Sequence, residues 1–486
     1  MTERLKVHMV SLGCPKNRVD SEVMLGELAN GGYELSSSPE SAEVIVVNTC
    51  GFIDAAKEES VDTILEMVDF KEKGACQKLV VTGCLSQRYA PELAEEIPEV
   101  DHFLGTGNFS EIARVLQGEE LTPVVRESTG RRILPIVADH PRLSGKNRLV
   151  PFSHEVSAGE RSIYMPDPDF PLDSHSPRVA TQAAYSQYLK VSEGCSNTCS
   201  FCIIPKLRGP QRSRRVADVV TEAEQLIERG AVELNLIAQD LSAFGKDQHP
   251  RENLAQLLRA LNKVGESAAA PLWIRCLYAY PRGLTREVMQ VINESESVIP
   301  YLDMPLQHIS DSMLRRMKRG KGGESTKSLL RRLRKEVPGL TVRTTFITGM
   351  PGETESDFEE LCDFVEELRF ERMGVFVYSP EEGTPAFDMP NQVPSEIGEE
   401  RAARLMKLQK EISADQQEAL VGTTLKVLVE GVSEETELLL QGRHQGQAPD
   451  IDGVTYINSG SAERGEVVEV LVEQAMDFDL VGGIVS

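Results

Sequence analysis

Gln187-Tyr188-Leu189-Lys190-Val191-Ser192-Glu193-Gly194-Cys195-Ser196-Asn197-Thr198-Cys199-Ser200-Phe201-Cys202 is the stretch that decides the fold. A strand-like apolar run, Tyr188 to Val191, leads into three cysteines spaced C-x3-C-x2-C, with an aromatic directly before the last. Three thiolates this close can hold three irons of a four-iron cubane. The fourth corner stays open, and an open iron can bind and reduce a small molecule. A zinc knuckle is the plainer reading of clustered cysteines. Structural zinc, however, takes four ligands, usually as two pairs, and no second pair is present.

Working outward, strand and helix patterns alternate from about Gln187 to Tyr378. Strand candidates are Tyr188–Ser192, Val232–Ala238, Leu272–Leu277, Tyr301–Pro305, Thr341–Thr348 and Gly374–Tyr378. One intervening helix opens with the capping box Thr354-Glu355-Ser356-Asp357 and puts Phe358, Leu361, Cys362, Val365 and Leu368 on one face. Six βα units predict a partial TIM-like barrel, with functional groups in the loops after the strands. The cysteine triplet follows the first strand, as that rule requires.

Residues 1 to about 118 also alternate, which predicts a parallel sheet. The β-rich runs Lys6 to Leu12, Glu43 to Asn48 and Lys78 to Thr82 each end at a cysteine: Cys14, Cys50 and Cys84. Amphipathic stretches, Ser21 to Ala29 and Ala55 to Phe70, lie between them. Free cysteines are commonly buried packing residues. Ligands in open parallel sheets, however, sit beyond the carboxyl ends of the strands, and there these three cysteines can converge. Residues 119–185 read as a linker or insertion, with seven prolines between Pro135 and Pro177. Residues 395–417 form a charged helix. After Gly422 come short strands, Thr424–Val432, Glu437–Leu440, Val454–Ile457 and Gly465–Val472, which predict a small OB-like β-barrel.

The composition is that of a globular protein: 486 residues, 40% hydrophobic and 26% charged. No 18-residue apolar run predicts a membrane span. Leu12-Gly13-Cys14 faintly suggests a lipoprotein cleavage box, but the apolar stretch before it is short and broken by His8. Nine cysteines without a signal sequence predict a reducing compartment and thiols used for metal. The net charge of −24 disfavours nucleic acid and favours basic partners, though acidity also simply maintains solubility.

Longer segments sharpen this reading: Ser11-Leu12-Gly13-Cys14-Pro15-Lys16-Asn17, Leu189-Lys190-Val191-Ser192-Glu193-Gly194-Cys195, Met304-Pro305-Leu306-Gln307-His308, Met317-Lys318-Arg319-Gly320 and Tyr378-Ser379-Pro380-Glu381-Glu382-Gly383-Thr384-Pro385. In them the whole chain resembles the radical S-adenosylmethionine (SAM) methylthiotransferases. It looks most like the RimO type, which methylthiolates an aspartate of small-subunit ribosomal protein twelve. The sibling type that modifies tRNA adenosine tends to have glutamine and methionine where this chain has Pro15 and Lys16.

The resemblance implies an α/β architecture of four segments: an N-terminal methylthiotransferase domain (1–118), the linker or insertion (119–185), a radical-SAM core (186–418) and a TRAM barrel (419–486). It implies two [4Fe-4S] clusters, an auxiliary one on Cys14, Cys50 and Cys84 and a SAM-chelating one on Cys195, Cys199 and Cys202. In this scheme one SAM methylates sulfur on the auxiliary cluster. A second is cleaved to a 5′-deoxyadenosyl radical that takes hydrogen from the aspartate β-carbon. The resemblance further implies a basic ribosomal protein as substrate, free or on the ribosome, an electron donor such as flavodoxin or ferredoxin, a monomer, a cytoplasmic location and no membrane.

Weaker signals concern SAM itself. Asp240 in Ala238-Gln239-Asp240 stands where the superfamily often has a glutamate, and capping is an equal reading. Gly349 and Gly352 lie in a variant of the G-x-I-x-G-x-x-E element, with Glu353 displaced by one. Gln307 and His308 end the fourth strand, where His308 is more simply a hydrogen-bonded structural residue. The cations Lys206, Arg208, Arg212, Arg214 and Arg215 either meet the SAM carboxylate or form a solvated helix entry. Cys76, Cys276 and Cys362 belong to no motif.

The rivals are the tRNA enzyme and a non-catalytic iron–sulfur or RNA-binding scaffold. From Leu420 to Ser486 three basic residues stand against twelve acidic ones, a net of −9, which suits a basic protein and not phosphate.

Overall fold

The computed structural model describes residues 4–119, 162–164, 172–320 and 322–485. Most of the 119–185 linker lies outside the described residues. The chain forms two compact units. One comprises Met1–Thr181, Glu193–Asn197 and Ile203–Arg212; the other Gln182–Ser192, Thr198–Cys202 and Ser213–Ser486.

The first unit is built on a parallel sheet of β1 (Lys6–Ser11), β2 (Glu34–Leu35), β3 (Val44–Thr49), β4 (Lys78–Gly83), β5 (His102–Leu104) and β6 (Ser162–Tyr164). Their order is β2-β1-β3-β4-β5-β6. Val44 to Val47 and Leu79 to Val81 are buried without alternation, as expected of parallel strands covered on both faces. The helices of this unit are α1 (Pro15–Asn30), α2 (Asp54–Lys73), α3 (Cys84–Glu96), α4 (Ile112–Leu116) and the short α5 (Ile204–Arg208). Helix α1 begins at Pro15, six residues before the expected Ser21. Proline at the first helical position gives up only an amide that would lack a helical partner. The added turn buries polar side chains, Asn17 and Asp20, which apolar periodicity cannot reveal.

In the second unit all six expected barrel strands form: β7 (Ser186–Lys190), β10 (Glu233–Ile237), β11 (Trp273–Cys276), β12 (Val298–Asp303), β13 (Thr341–Thr348) and β14 (Arg372–Val377). Between β7 and β10 the chain has two-residue strands, β8 (Ser192–Glu193) and β9 (Arg212–Ser213). The sheet is parallel and open, ordered β14-β13-β12-β11-β10-β7, hence a partial barrel. The helix Ser395–Glu418 packs on β13 and β14.

The C-terminal residues close a five-stranded barrel, ordered β15-β16-β17-β19-β18. Its strands are β15 (Thr424–Val432), β16 (Leu440–His444), β17 (Thr455–Ser459), β18 (Val467–Ala475) and β19 (Leu480–Ile484). Two expectations change. The second strand starts at Leu440 rather than Glu437, because Ser433 to Leu439 form the turn of the β15–β16 hairpin. A fifth strand, β19, forms beyond the four expected and carries Gly482 and Gly483. A Cβ on Gly482 would lie 2.2 Å from the Leu471 carbonyl oxygen, so only glycine permits closure against β18.

Candidate functional site

Strands β1, β3 and β4 are neighbours, and Ser11, Asn48 and Thr82 align across them in one row. Adjacent strands lie about 4.8 Å apart, so chains leaving this row stay together. Cys14, Cys50 and Cys84 follow within three residues. The loops abut: a Cβ on Gly13 would lie 2.8 Å from the Cys50 Cβ, and one on Gly51 would lie 2.8 Å from the Leu85 Cα. Asn17 ties two of them, its Nδ2 donating to the carbonyls of Leu12 (3.1 Å) and Thr49 (2.9 Å). Ser60 brackets Cys50, accepting from its amide (3.0 Å) and donating to its carbonyl (2.9 Å).

Burial, and then the nearby Cys84 and Cys14, push the Cys50 thiol up to about 12. Burial likewise raises Cys84. Thiols raised in this way give up their protons when a metal cation takes the protons' place. The donor set therefore fits an iron–sulfur cluster with three cysteine ligands. Among the described residues, no three His, Cys, Asp or Glu side chains gather around a single-ion position.

Cys195, Cys199 and Cys202 leave the carboxyl end of β7. Cys195 and Cys199 are buried and Cys202 half-buried. In the first unit Cys195 is held by its amide to the Gly209 carbonyl (3.1 Å), and its sulfur accepts from Asn197 Nδ2 (3.4 Å). In the second, Ser200 bridges the amide of Ala386 (2.9 Å) and the carbonyl of Met317 (3.1 Å). Arg319 Nη1 donates to the Cys199 sulfur (3.5 Å), Nη2 donates to the Pro305 carbonyl, and the guanidinium stacks 4.1 Å from the Tyr280 ring centroid. Sequence reasoning assigned Arg319 no role, although Met317-Lys318-Arg319-Gly320 was the available signal. Its positive charge lies against the Cys199 sulfur.

The barrel loops place the expected SAM contacts unequally. Gln307 follows β12 at φ +74°. Its backbone spans β13, donating to Thr345 O and accepting from Ile347 N, both at 2.8 Å. Its Oε1 is buried with no hydrogen-bond partner. A strained residue presenting an unpaired acceptor at a strand end points to a ligand. The Tyr378 hydroxyl after β14 is likewise buried and unpaired, and burial raises its pKa to about 12, so it is a donor. Tyr378 packs with Phe201 against Met313, Met317, Met350 and Ala386, an apolar pad.

Asp240 is buried rather than solvent-facing and accepts from Ser242 Oγ (2.7 Å). Gly349 and Gly352 adopt φ +76° and +80°. The Gly349 amide donates to Glu353 Oε2 (2.6 Å) and the Gly352 amide to Asn391 O (2.7 Å). Glu353 also accepts from Arg401 (2.8 Å) and pairs with His308 Nε2 (3.1 Å). His308 Nδ1 accepts from the Ser310 amide (3.0 Å), so Nε2 carries the proton. His308 and Glu353 therefore brace the glycine turn from inside the fold.

In the basic segment Lys206 and Arg215 are exposed, as a solvated helix entry would have them, but Arg208 and Arg214 are buried. Arg214 pairs with Asp218 (2.6 Å) and Glu222 and donates to Lys190 O (2.9 Å). Arg215 binds the carbonyls of His249 and Pro250. Cys76, Cys276 and Cys362 are buried packing residues.

Comparisons with known proteins agree with this architecture. Residues 6–105 match an uncharacterized protein family, UPF0004; 189–365 match the radical SAM superfamily; 421–485 match the TRAM domain. The chain is 51% identical over 481 residues to a protein of Anaeromyxobacter sp. (strain Fw109-5) named ribosomal protein uS12 methylthiotransferase RimO, covering 99% of this chain and 93% of that one. Proteins of the same name from Myxococcus xanthus (50% identity, 99% and 92% covered) and Geobacter sulfurreducens (46%, 99% and 99%) are also similar. Among solved structures, the radical SAM methyltransferase TsrM from Kitasatospora setae, bound to cobalamin and a [4Fe-4S] cluster, matches with a TM-score of 0.52. Sequence identity there is 15%, with 87% of this chain and 77% of that one covered. The SAM radical enzyme OxsB matches with a TM-score of 0.52 at 12% identity over 84% and 56%. At these identities the likeness is one of fold.

Proposed function

The chain belongs to the radical-SAM methylthiotransferases of the RimO type, and from that premise we propose that it attaches a methylthio group to the β-carbon of an aspartate in small-subunit ribosomal protein twelve. The observation that carries this reading is the pair of cysteine triplets, each at the carboxyl end of a parallel sheet. Cys14, Cys50 and Cys84 would hold one four-iron cluster, and Cys195, Cys199 and Cys202 the other. When bound, the clusters supply the sulfur to be donated and the electron for reductive SAM cleavage, chemistry no side chain here provides.

The chain's own residues position and insulate. Gln307 offers an acceptor and Tyr378 a donor to SAM or substrate. The methionine-rich pad keeps water from that end of the barrel, and Arg319 holds the Cys199 sulfur. Of the acidic side chains on the small barrel, Glu434, Glu435 and Glu437 are exposed around the turn after β15, a charge pattern that favours a lysine- and arginine-rich protein over tRNA. The electron donor is a flavodoxin or ferredoxin, the enzyme acts as a monomer, and the setting is the cytoplasm. No helix among the described residues is long and apolar enough to cross a membrane.

The test is anaerobic reconstitution, iron analysis and assay with SAM against ribosomal protein twelve and tRNA. We expect about eight irons per chain and product on the protein alone. Alanine at Cys195, Cys199 and Cys202 should abolish SAM cleavage and leave about four irons. Alanine at Cys14, Cys50 and Cys84 should retain SAM cleavage to 5′-deoxyadenosine but stop methylthio transfer. Methylthiolated tRNA, or about four irons in the intact chain, would defeat the reading.

A further inference from the structure

We propose that Arg208, acting with Asn17, is the positioning and charge-compensating residue of the Cys14, Cys50 and Cys84 site, and that it sets the reduction potential of the cluster held there. This rests on the reading that the three cysteines hold an iron–sulfur cluster. Arg208 is 2% exposed. Its Nη1 donates to Asp20 Oδ2 (3.0 Å) and to both oxygens of Glu193 (3.1 Å each), while Nη2 donates to Asn17 Oδ1. All of these groups belong to the first unit.

Asn17 makes this more than an ion pair. Its amide nitrogen holds the carbonyls of Leu12, two residues before Cys14, and Thr49, directly before Cys50. Its oxygen faces the Cys84 sulfur at 3.9 Å. One amide thus touches all three cysteine loops. The guanidinium on its oxygen fixes which way it faces, because a flipped amide would set donor against donor. Leu207, beside Arg208 in sequence, packs with Ile203, Phe52 and Cys84, and its carbonyl accepts from Thr106 Oγ1 (3.0 Å). The arginine is therefore anchored as well as paired.

The charge argument follows from the same contacts. One buried guanidinium meets two carboxylates beside three sulfurs that must become thiolates. Without the guanidinium, Asp20 and Glu193 would stand beside the sulfurs without the cation they both meet. Net charge and hydrogen bonds near the sulfurs are the protein's main controls on cluster potential. Arg208 lies close enough to act on the Cys84 and Cys14 thiols electrostatically. Loss of its positive charge disfavours the added electron and lowers the midpoint. Loss of a neighbouring carboxylate raises it.

The experiment uses the full chain with Cys195→Ala, Cys199→Ala and Cys202→Ala, so that only the N-terminal cluster remains. Its midpoint potential is read by titration followed by electron paramagnetic resonance, with iron counted in each variant. Arg208→Gln should lower the midpoint, and Arg208→Lys should lie closer to the parent. Near-isosteric Glu193→Gln and Asp20→Asn should raise it. A purely structural role would not produce shifts of opposite sign. If Arg208→Gln fails to retain iron, the two carboxylate variants decide, and an unmoved or lowered midpoint in both overturns the proposal. An iron-free parent would overturn the cluster reading and the proposal with it; a loaded parent whose variants all share its midpoint would overturn the proposal alone.

Discussion

The two ends of the partial barrel are built on opposite principles. At the carboxyl ends of its strands, Gln307 is strained and its Oε1 unpaired, and the Tyr378 hydroxyl has no partner. At the amino ends the loop Gln445–Asp452 of the small barrel lies against the strands, and the charges there are paired. Glu233 receives Arg275 (3.0 Å) and Arg443 (2.7 Å), and Arg443 also binds Glu430 (2.8 Å). Asp452 accepts from Tyr301 (2.6 Å) and Tyr188 donates to Asp450 (3.2 Å). The Gln445 and Gly446 carbonyls take Arg275 and Arg372. The charges at the amino ends are thus spent on fastening a domain, whereas Gln307 and Tyr378 keep an acceptor and a hydroxyl unpaired at the carboxyl ends. Among neutral groups the amino end also holds unpaired buried atoms, His444 Nε2 and Gln447 Nε2.

The sharpest way to break this comparison is at Glu233. Glu233→Gln keeps the shape but leaves two buried guanidiniums short of their carboxylate. It should cost about 3–5 kcal/mol in denaturant unfolding, with iron content per folded chain unchanged. A cost below about 1 kcal/mol would mean that the amino-end network is not what fastens the small barrel.

Acid should loosen the same end. His444 is pushed down to about 3 by burial and by Arg372, Arg275 and Arg443. The unfolded chain therefore takes a proton below about 6.5 that the native state refuses, and stability falls as pH drops through that window. Glu233 is held below its usual range by Arg443 and Arg275 despite its burial; its share is lost only below about 4.5, in the same direction. At pH 5 the histidine alone should cost up to about 2 kcal/mol. His444→Asn should flatten the stability profile between pH 6.5 and 4.5; an unchanged slope there would exclude the histidine as its source.

The carboxyl end predicts a trade. Gln307→Gly relieves a positive φ and should stabilise the fold by about 0.5–1 kcal/mol, while weakening SAM binding about tenfold for one lost hydrogen bond. Equilibrium binding of SAM and thermal unfolding measure both sides. A more stable variant with unchanged SAM affinity would make Gln307 a strained residue without a ligand.

The smallest effect is expected at the exposed hairpin turn. Glu434→Lys, Glu435→Lys and Glu437→Lys together should slow association with ribosomal protein twelve by several-fold at low salt, with the difference fading as salt rises. Folding and SAM cleavage should not change. Salt-independent kinetics in both forms would remove electrostatic steering from the account.

What the sequence determined by itself is what short spacing and regular period can encode. The C-x3-C-x2-C loop was legible because its cysteines are neighbours in the chain, and the six barrel strands because parallel strands are apolar runs between helices. The strand-end positions of Cys14, Cys50 and Cys84 were legible for the same reason. Tertiary structure alone decided the fate of the charged residues. Asn17 and Arg208 are 191 residues apart, and Glu233 and Arg443 are 210 apart. Apolar periodicity reports which side chains leave water, but a buried charge reads like a surface one until its partner arrives from a distant segment. Only the folded chain can therefore show that Arg208 meets Asn17 and that Glu233 takes Arg443.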